Sequence, residues 1–321
     1  MILTFKGVIG LNFRRYSIGD EKHILNVFER AFGRELSFDY WKWRYIDNPI
    51  KDTTLINLAW DENKLAAHYA LSPTALFING IKYCAALSMT TFTDPNYLRR
   101  GLFTKLAQEL YSNNKSSLDV VFGVPNDNSV SGFTNKLGFN LIKEIPMLES
   151  KISNVKINVC RKCEIVEKFD KRFDELFLNV INKYKIITSR DSKYLNWRFV
   201  ENPHNKYQII AYIEEEKVLG YAVIKTYNSG MIGDIVDLIA LNDSVLRHLL
   251  NFSFNLFQSK NILSVNTWFC DNENMNTLKE FNFQESGQYF HFIVKNNSEV
   301  LNENLFNFNN WYITMSDIDI F

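Results

Sequence analysis

Residues 40–49 read YWKWRYIDNP, and residues 194–203 read YLNWRFVENP. Tyr40, Trp43, Arg44, Asn48 and Pro49 return as Tyr194, Trp197, Arg198, Asn202 and Pro203 at a constant spacing of 154 residues. Five such matches within ten positions mark an internal duplication. Working outward, Lys64-Leu65 is echoed by Lys217-Val218, each opening an apolar run that reads as the second strand of a hairpin. Farther on, Asp127-Asn128 followed by KLGF (136–139) is echoed by Asp271-Asn272 followed by EFNF (280–283), now 144 residues apart. The second copy has therefore lost about ten residues, between positions 70 and 121 of the first. A chain of 321 residues suits two domains of ordinary size. We place them at residues 1–150 and 151–321, with 150–162 as the connector.

Composition narrows the class. Lys plus Arg and Asp plus Glu both total 36, so no net positive field holds a polyanion and nucleic acid is not expected as a partner. No apolar run approaches a membrane span, and four cysteines are too few for a disulfide scaffold. A protein of the cytoplasm is expected. Cys160 and Cys163 form one CxxC without a second half-site, so no metal is expected.

In the first copy, Ile24, Val27, Phe28 and Ala31 predict a helix over 22–32, and 55–60 and 65–71 read as strands. Asn79-Gly80 joins residues 76–79 to a long strand over 81–94 by a type I′ turn. Leu102, Leu106 and Leu110 give the next helix an apolar face. Val120–Phe122 is a short buried strand, and a helix from about Ser129, capped by Asn128 or Ser129, stops at Gly138. Alternating strands and helices predict an α/β fold with a mixed central sheet flanked by helices in each copy.

Between strand and helix lies Pro95-Asn96-Tyr97-Leu98-Arg99-Arg100-Gly101. A strand feeding a glycine-containing loop into a helix leaves free N–H groups at the positive end of the helix dipole, a ready anion site. Arg99 and Arg100 add charge, Gly101 permits close approach, and Thr104 offers a hydroxyl. The stretch YLRRGLFTKL (97–106) resembles the pyrophosphate loop of the GNAT superfamily of N-acetyltransferases, Q/R-x-x-G-x-G/A, departing from it at Leu98 and Phe103. VFGVPNDNSVSGFTNKLGF (121–139) resembles that superfamily's later strand and helix. YWKWRYIDNP, PNDNS and the terminal WYITMSDID (311–319) are similar to tandem-domain members of surface-polysaccharide (O-antigen) biosynthesis that N-acylate nucleotide-linked amino sugars.

The resemblance implies tandem GNAT-like domains with acyl-CoA as co-substrate on the first copy. Its pyrophosphate is expected on Arg99, Arg100, Gly101, Leu102, Phe103 and Thr104, and its pantetheine beside Thr91, Phe92 and Thr93. Asn126, Asn128, Ser129 and Phe133 follow the next strand, where the superfamily places further cofactor contacts. The second copy has no such loop: around Leu241-Asn242-Asp243-Ser244 there is no glycine, and Asp243 repels a pyrophosphate. One CoA per chain is expected. The implied reaction is direct attack of an amine on the thioester in a ternary complex. The donor is acetyl-CoA or a short hydroxyacyl-CoA such as 3-hydroxybutanoyl-CoA, and the acceptor a dTDP-3-amino-3,6-dideoxyhexose.

His68 is the first candidate base, because imidazole titrates near working pH, with Asp94 and either Asp317 or Asp319 as alternatives. Thr134 stands where many members carry the tyrosine that protonates the thiolate, so that role has no candidate. Trp43, Arg44, Trp197, Arg198, Trp311 and Asp319 are candidates for holding the acceptor, although the repeated WR…NP segment equally fits packing. The rival readings are an aminoglycoside or peptide N-acetyltransferase, a transferase using aminoacyl-tRNA, and a catalytically silent acyl-CoA-binding scaffold.

Overall fold

Apolar stripes and β-branched runs become helices and strands in the expected order, and the computed structural model describes residues 10–50, 54–158, 162–227, 230–268, 275–298 and 303–321. In the first copy, β1 (Leu11–Arg15), α1 (Glu21–Phe32) and α2 (Phe38–Tyr45) precede a meander of β2 (Leu55–Asp61), β3 (Lys64–Ile78) and β4 (Ile81–Thr93). Then come α3 (Leu102–Asn113), β5 (Val120–Gly123), α4 (Asp127–Leu137) and β6 (Asn140–Lys151). The second copy runs β7 (Cys163–Val166), α5 (Lys171–Val180), an added β8 (Ile186–Thr188) and α6 (Ser192–Leu195), which passes into a π-helical turn. β9 (Tyr207–Glu214), β10 (Lys217–Thr226), β11 (Ile232–Ala240), α7 (Asp243–Ser259), β12 (Ser264–Thr267), α8 (Met275–Glu280) and β13 (Gln284–Asn296) complete it. A C-terminal tail carries β14 (Trp311–Tyr312). The echo at Asp271-Asn272 and Cys160 of the CxxC lie outside the described residues. Cys163 is buried at the start of β7.

Asn79 and Gly80 both take left-handed backbone, φ 49° and 76°, as the type I′ turn requires. The strands expected over 65–71 and 76–79 form one element. Pro73 does not break it, because β2 pairs with β3 only as far as Leu71 and leaves the proline's missing N–H on an open side. α4 begins earlier than expected. Its cap is Asn126, whose side chain accepts from the Ser129 amide at 3.1 Å, rather than Asn128 or Ser129. Gly138 ends it in the left-handed region as expected.

Helices cover both faces of the meander. α1 buries Ile24, Val27 and Phe28 on one side, and α3 buries Leu102, Leu106 and Leu110 on the other. The strands form one continuous sheet in the order β1-β2-β3-β4-β5-β13-β6-β12-β11-β10-β9-β7. The order is nearly palindromic, and the copies exchange their last strands. β13 of the second copy lies antiparallel between β5 (Ile293↔Gly123) and β6 (Phe290↔Ile145), while β6 lies antiparallel to β12 (Leu148↔Thr267).

The repeated segments meet at the local two-fold axis implied by this order. Trp43 and Trp197 stack with centroids 4.9 Å apart. The Trp43 indole N–H donates to the Trp197 carbonyl at 2.8 Å, and the Trp197 indole returns the bond to Trp43 at 3.0 Å. Both rings are buried. No helix among the described residues is long and apolar enough to cross a membrane.

Candidate functional site

β4 and β5 run parallel but pair only over Ala85–Leu87 against Val120–Phe122. β4 continues six residues past that point to Thr93, while β5 stops at Gly123, so a wedge opens between them. A bulge in β4 helps turn the strand. The register with β3 shifts between His68 and Ala70, and Thr90 adopts φ 51°. The His68 Nδ1–H donates to the Thr90 carbonyl at 3.0 Å, and the Tyr45 hydroxyl bonds the Thr90 side chain.

Past the wedge, the chain turns through Arg99 and Gly101, both left-handed at φ 62° and 73°, into α3. Gly101 is the N-cap and supplies no side-chain acceptor, so the first amides of α3 keep their bonding capacity. A Cβ added at Gly101 meets no atom within 4 Å, which shows the loop open on that side. Arg99 is exposed, and Arg100 is held by the Asn96 carbonyl at 3.1 Å and lies over the Tyr97 ring. Phe103 turns inward instead, packing edge-on against Phe133 and against the bare Cα of Gly132. Glycine at 132 thus accommodates the bulky residue at 103.

The second copy is built on the same plan with both features filled. The N-terminus of α7 is capped by the Asn242 side chain, which accepts from the Val245 amide at 3.0 Å, and Asp243 follows. β11 and β12 pair only through Ile235↔Thr267. Beyond that point the chain's own tail docks against β11. The Tyr312 hydroxyl donates to the Leu238 carbonyl, the Thr314 hydroxyl donates to Asp237 at 2.8 Å, and Phe321 packs on Trp268.

These positions sort the candidate residues. Thr91–Thr93 end β4, Arg99, Arg100, Gly101 and Leu102–Thr104 follow it into α3, and Asn126, Asn128 and Ser129 lie where β5 leads into α4. The Phe92 and Phe133 side chains do not face the wedge. Phe92 stacks on His68 and meets Phe28, while Phe133 packs on Phe103 and Phe139.

His68 has 0% exposure, and burial pushes its pKa down to about 4, so no amine reaches it and it holds the bulge instead. Asp94 accepts from the Asn96 amide at 2.9 Å and pairs with Arg30 at 2.7 Å, and those bonds hold its carboxyl below the usual range against the desolvation that raises it. Asp317 is buried against Arg190 at 2.9 Å, and Arg190 also pairs with Asp237 at 3.0 Å. Neither carboxylate is placed as a base. Trp311 is buried with its indole bonded to the Leu305 carbonyl, and Trp43 and Trp197 face each other, so none of the three offers a ring for a nucleotide base to stack on.

Arg198 is spent on the tail, donating to the carbonyl oxygens of Ser316 at 3.2 Å, Ile318 at 3.0 Å and Phe321 at 2.9 Å. Asp319 differs from its neighbours. It is half-buried, whereas Asp317 is buried. Tyr45 and Arg190 escape sequence reading: an isolated polar residue carries no signal of the partner it meets.

A family model described as the acetyltransferase (GNAT) domain matches residues 12–142, the span that carries the wedge and the open loop. The match covers less than half of the chain, so it marks this span as similar to a GNAT domain. The match and the shared fold point to an acyl-CoA-dependent transferase.

Solved structures of the same fold include a GCN5-related N-acetyltransferase from Anabaena variabilis, 15% identical over 89% of this chain and 73% of that one, TM-score 0.72. A probable N-acyltransferase from Enterococcus faecalis is 13% identical over 89% of this chain and 72% of that one, TM-score 0.71. The N-myristoyltransferase of Saccharomyces cerevisiae with bound myristoyl-CoA is 10% identical over 97% of this chain and 85% of that one, TM-score 0.63. No curated protein matches the sequence. Among the described residues, no group of three His, Cys, Asp or Glu side chains gathers as a metal site would require.

Proposed function

We propose that the chain is an N-acyltransferase that binds one acyl-CoA on its GNAT domain and passes the acyl group to an amine at the seam with the C-terminal tail. The contrast between the copies carries this reading. The α3 N-terminus and the β4–β5 wedge are open, whereas in the second copy Asn242 caps the helix and the tail docks beside the wedge. Arg99, Arg100 and the first amides of α3 would hold the pyrophosphate. Pantetheine would pair with the free edge of β4 as an added strand does.

The amine nitrogen attacks the thioester carbonyl, a C–N bond forms, and the carbonyl oxygen becomes an oxyanion met by backbone N–H groups near the bulge. The C–S bond then breaks and CoA leaves as thiolate. Asp319, half-buried where the other candidate carboxylates are buried and paired, would hold the incoming ammonium and draw off its proton. The nucleotide-linked amino sugar of the dTDP-3-amino-3,6-dideoxyhexose type is the acceptor we propose. Its support is the sequence resemblance, and the buried tryptophans leave Arg44 as its contact on the repeated segment.

Free-thiol release from acetyl-CoA and 3-hydroxybutanoyl-CoA tests the reading. Each donor is offered dTDP- and UDP-amino sugars, aminoglycosides and short peptides, with Gly101→Glu as control. Amine-dependent release lost in the control supports it and names the acceptor class. CoA binding without release from any pair sinks it in favour of a silent scaffold.

A further inference from the structure

Arg44 and Arg198 are the same residue of the two copies, yet they have unequal partners. Arg198 is 2% exposed and fully engaged, with Nε and Nη2 on three tail carbonyl oxygens and Nη1 donating to the Tyr207 hydroxyl at 3.1 Å. Arg44 is 3% exposed, and only its Nε finds an acceptor, the Met89 sulfur at 3.0 Å. Among the described residues nothing accepts from Nη1 or Nη2 of Arg44, and no carboxylate pairs with it. Its guanidinium lies over the Trp43 and Trp197 rings, 5.5 Å from each. Neither nitrogen is among the fully buried atoms that lack a partner, so the fork reaches solvent, and a solvent-reaching fork beside two indole rings suits a bidentate oxyanion.

The local two-fold gives the missing partner a position. Exchanging Trp43 with Trp197 carries Arg198 onto Arg44, and carries the tail oxygens to the side of Arg44 next to Met89, one residue before the bulge at Thr90. That side adjoins the β4 edge along which acyl-CoA is proposed to lie.

We infer that Arg44 is the oxyanion seat of the acceptor site: its Nη1 and Nη2 take a phosphate or carboxylate of the amine substrate in the place where Arg198 takes the chain's own tail. The inference rests on the N-acyltransferase reading. It assigns one such seat per chain, because the tail already fills the other. Arg44 is a binding residue in this scheme, and Asp319 serves the amine.

Two pairs of probes separate the sources of the oxyanion. dTDP-3-amino-3,6-dideoxygalactose is compared with the free amino sugar, and L-alanyl-L-alanine with its C-terminal amide, by thiol release from acetyl-CoA. In at least one pair the charged member is expected to show roughly 30-fold higher kcat/KM. Arg44→Met should abolish that difference by raising KM while leaving acetyl-CoA affinity within about twofold. A preference in the first pair assigns a phosphate, and one in the second a carboxylate. Equal kcat/KM within both pairs overturns the inference, as does a folded Arg44→Met that keeps the preference. Should the methionine variant not fold, Arg44→Lys keeps the charge without the fork and should lose most of the preference; retention of it overturns the bidentate seat. If no probe releases thiol, the transferase reading fails separately. Calorimetry of the same four compounds on the wild-type protein and Arg44→Lys then decides the seat by itself.

Discussion

Replacing Arg198 with methionine should loosen the C-terminal tail without touching the donor site. Methionine keeps much of the apolar stem and removes the donors that reach Ser316, Ile318, Phe321 and Tyr207. The Ser316 and Ile318 oxygens then lack a partner, at about 1–3 kcal/mol for each that water cannot reach, while the Tyr207 hydroxyl still donates to Phe321 at 2.9 Å. Relief from burying a cation offsets part of this, leaving roughly 3–5 kcal/mol, the usual cost of breaking a buried charged cluster from one side. For a chain of this size about 2 °C per kcal/mol applies, so Tm should fall by about 6–10 °C. Scanning calorimetry reads the shift. Hydrogen exchange over residues 311–321 reads its location, since protection should be lost first there. The reasoning is refuted if Tm moves by less than about 2 °C and the tail stays protected while the acceptor KM rises. That result would make Arg198 a substrate residue and the tail self-supporting.

Gly101→Glu should raise the acetyl-CoA Kd by about 30-fold or more by setting a carboxylate at the α3 N-terminus, and its left-handed φ adds only about 1–2 kcal/mol of strain; unchanged affinity in calorimetry would move CoA off this loop. His68→Asn should keep kcat within about threefold, against the hundredfold loss due to a missing base. Because the folded His68 pKa lies near 4 and the unfolded one near 6.5, only the unfolded chain takes up this proton between those values. Stability from this group is therefore complete above about pH 6.5 and falls by about 1.4 kcal/mol per unit as pH drops toward 4. Urea unfolding across that window should be less pH-dependent in the variant, and an unchanged slope would contradict the assignment. Asp319→Asn should lower kcat by about tenfold or more with Tm held. Asp317→Asn should instead cost about 3 kcal/mol of stability by exposing Arg190 to an incomplete partner set, while the folded fraction remains active.

Much of the fold was readable because its signals are local. The duplicated tryptophan–arginine segments, the Asn79-Gly80 turn and the leucine stripe of α3 each declare an element within a few residues. The open glycine loop was equally legible, since a helix start without a capping side chain is written in Leu98–Leu102. The roles of single side chains were not. His68 and Asp94 sit at the right places along the strand but are enclosed by Phe92 and Arg30, neighbours that strand periodicity does not name. PNDNS offers several caps in a row, and only the path of the chain out of β5 selects Asn126. Pairing across long distances was invisible for the same reason. Nothing local in Gln284–Asn296 says that its neighbours are β5 and β6 of the other copy.

That exchange of closing strands has a consequence for how the protein arose and how it can be handled. Two separate molecules of a single-copy ancestor, each lending its last strand to the other, would build the same twelve-strand path. Fusing the two genes would turn that intertwined dimer into one polypeptide and release the pair from dependence on concentration. It would also free one partner's cleft to receive a length of its own chain. Cutting the protein at residue 150 should accordingly yield two fragments that are insoluble apart and recover the fold on co-expression, because each carries the strand that finishes the other.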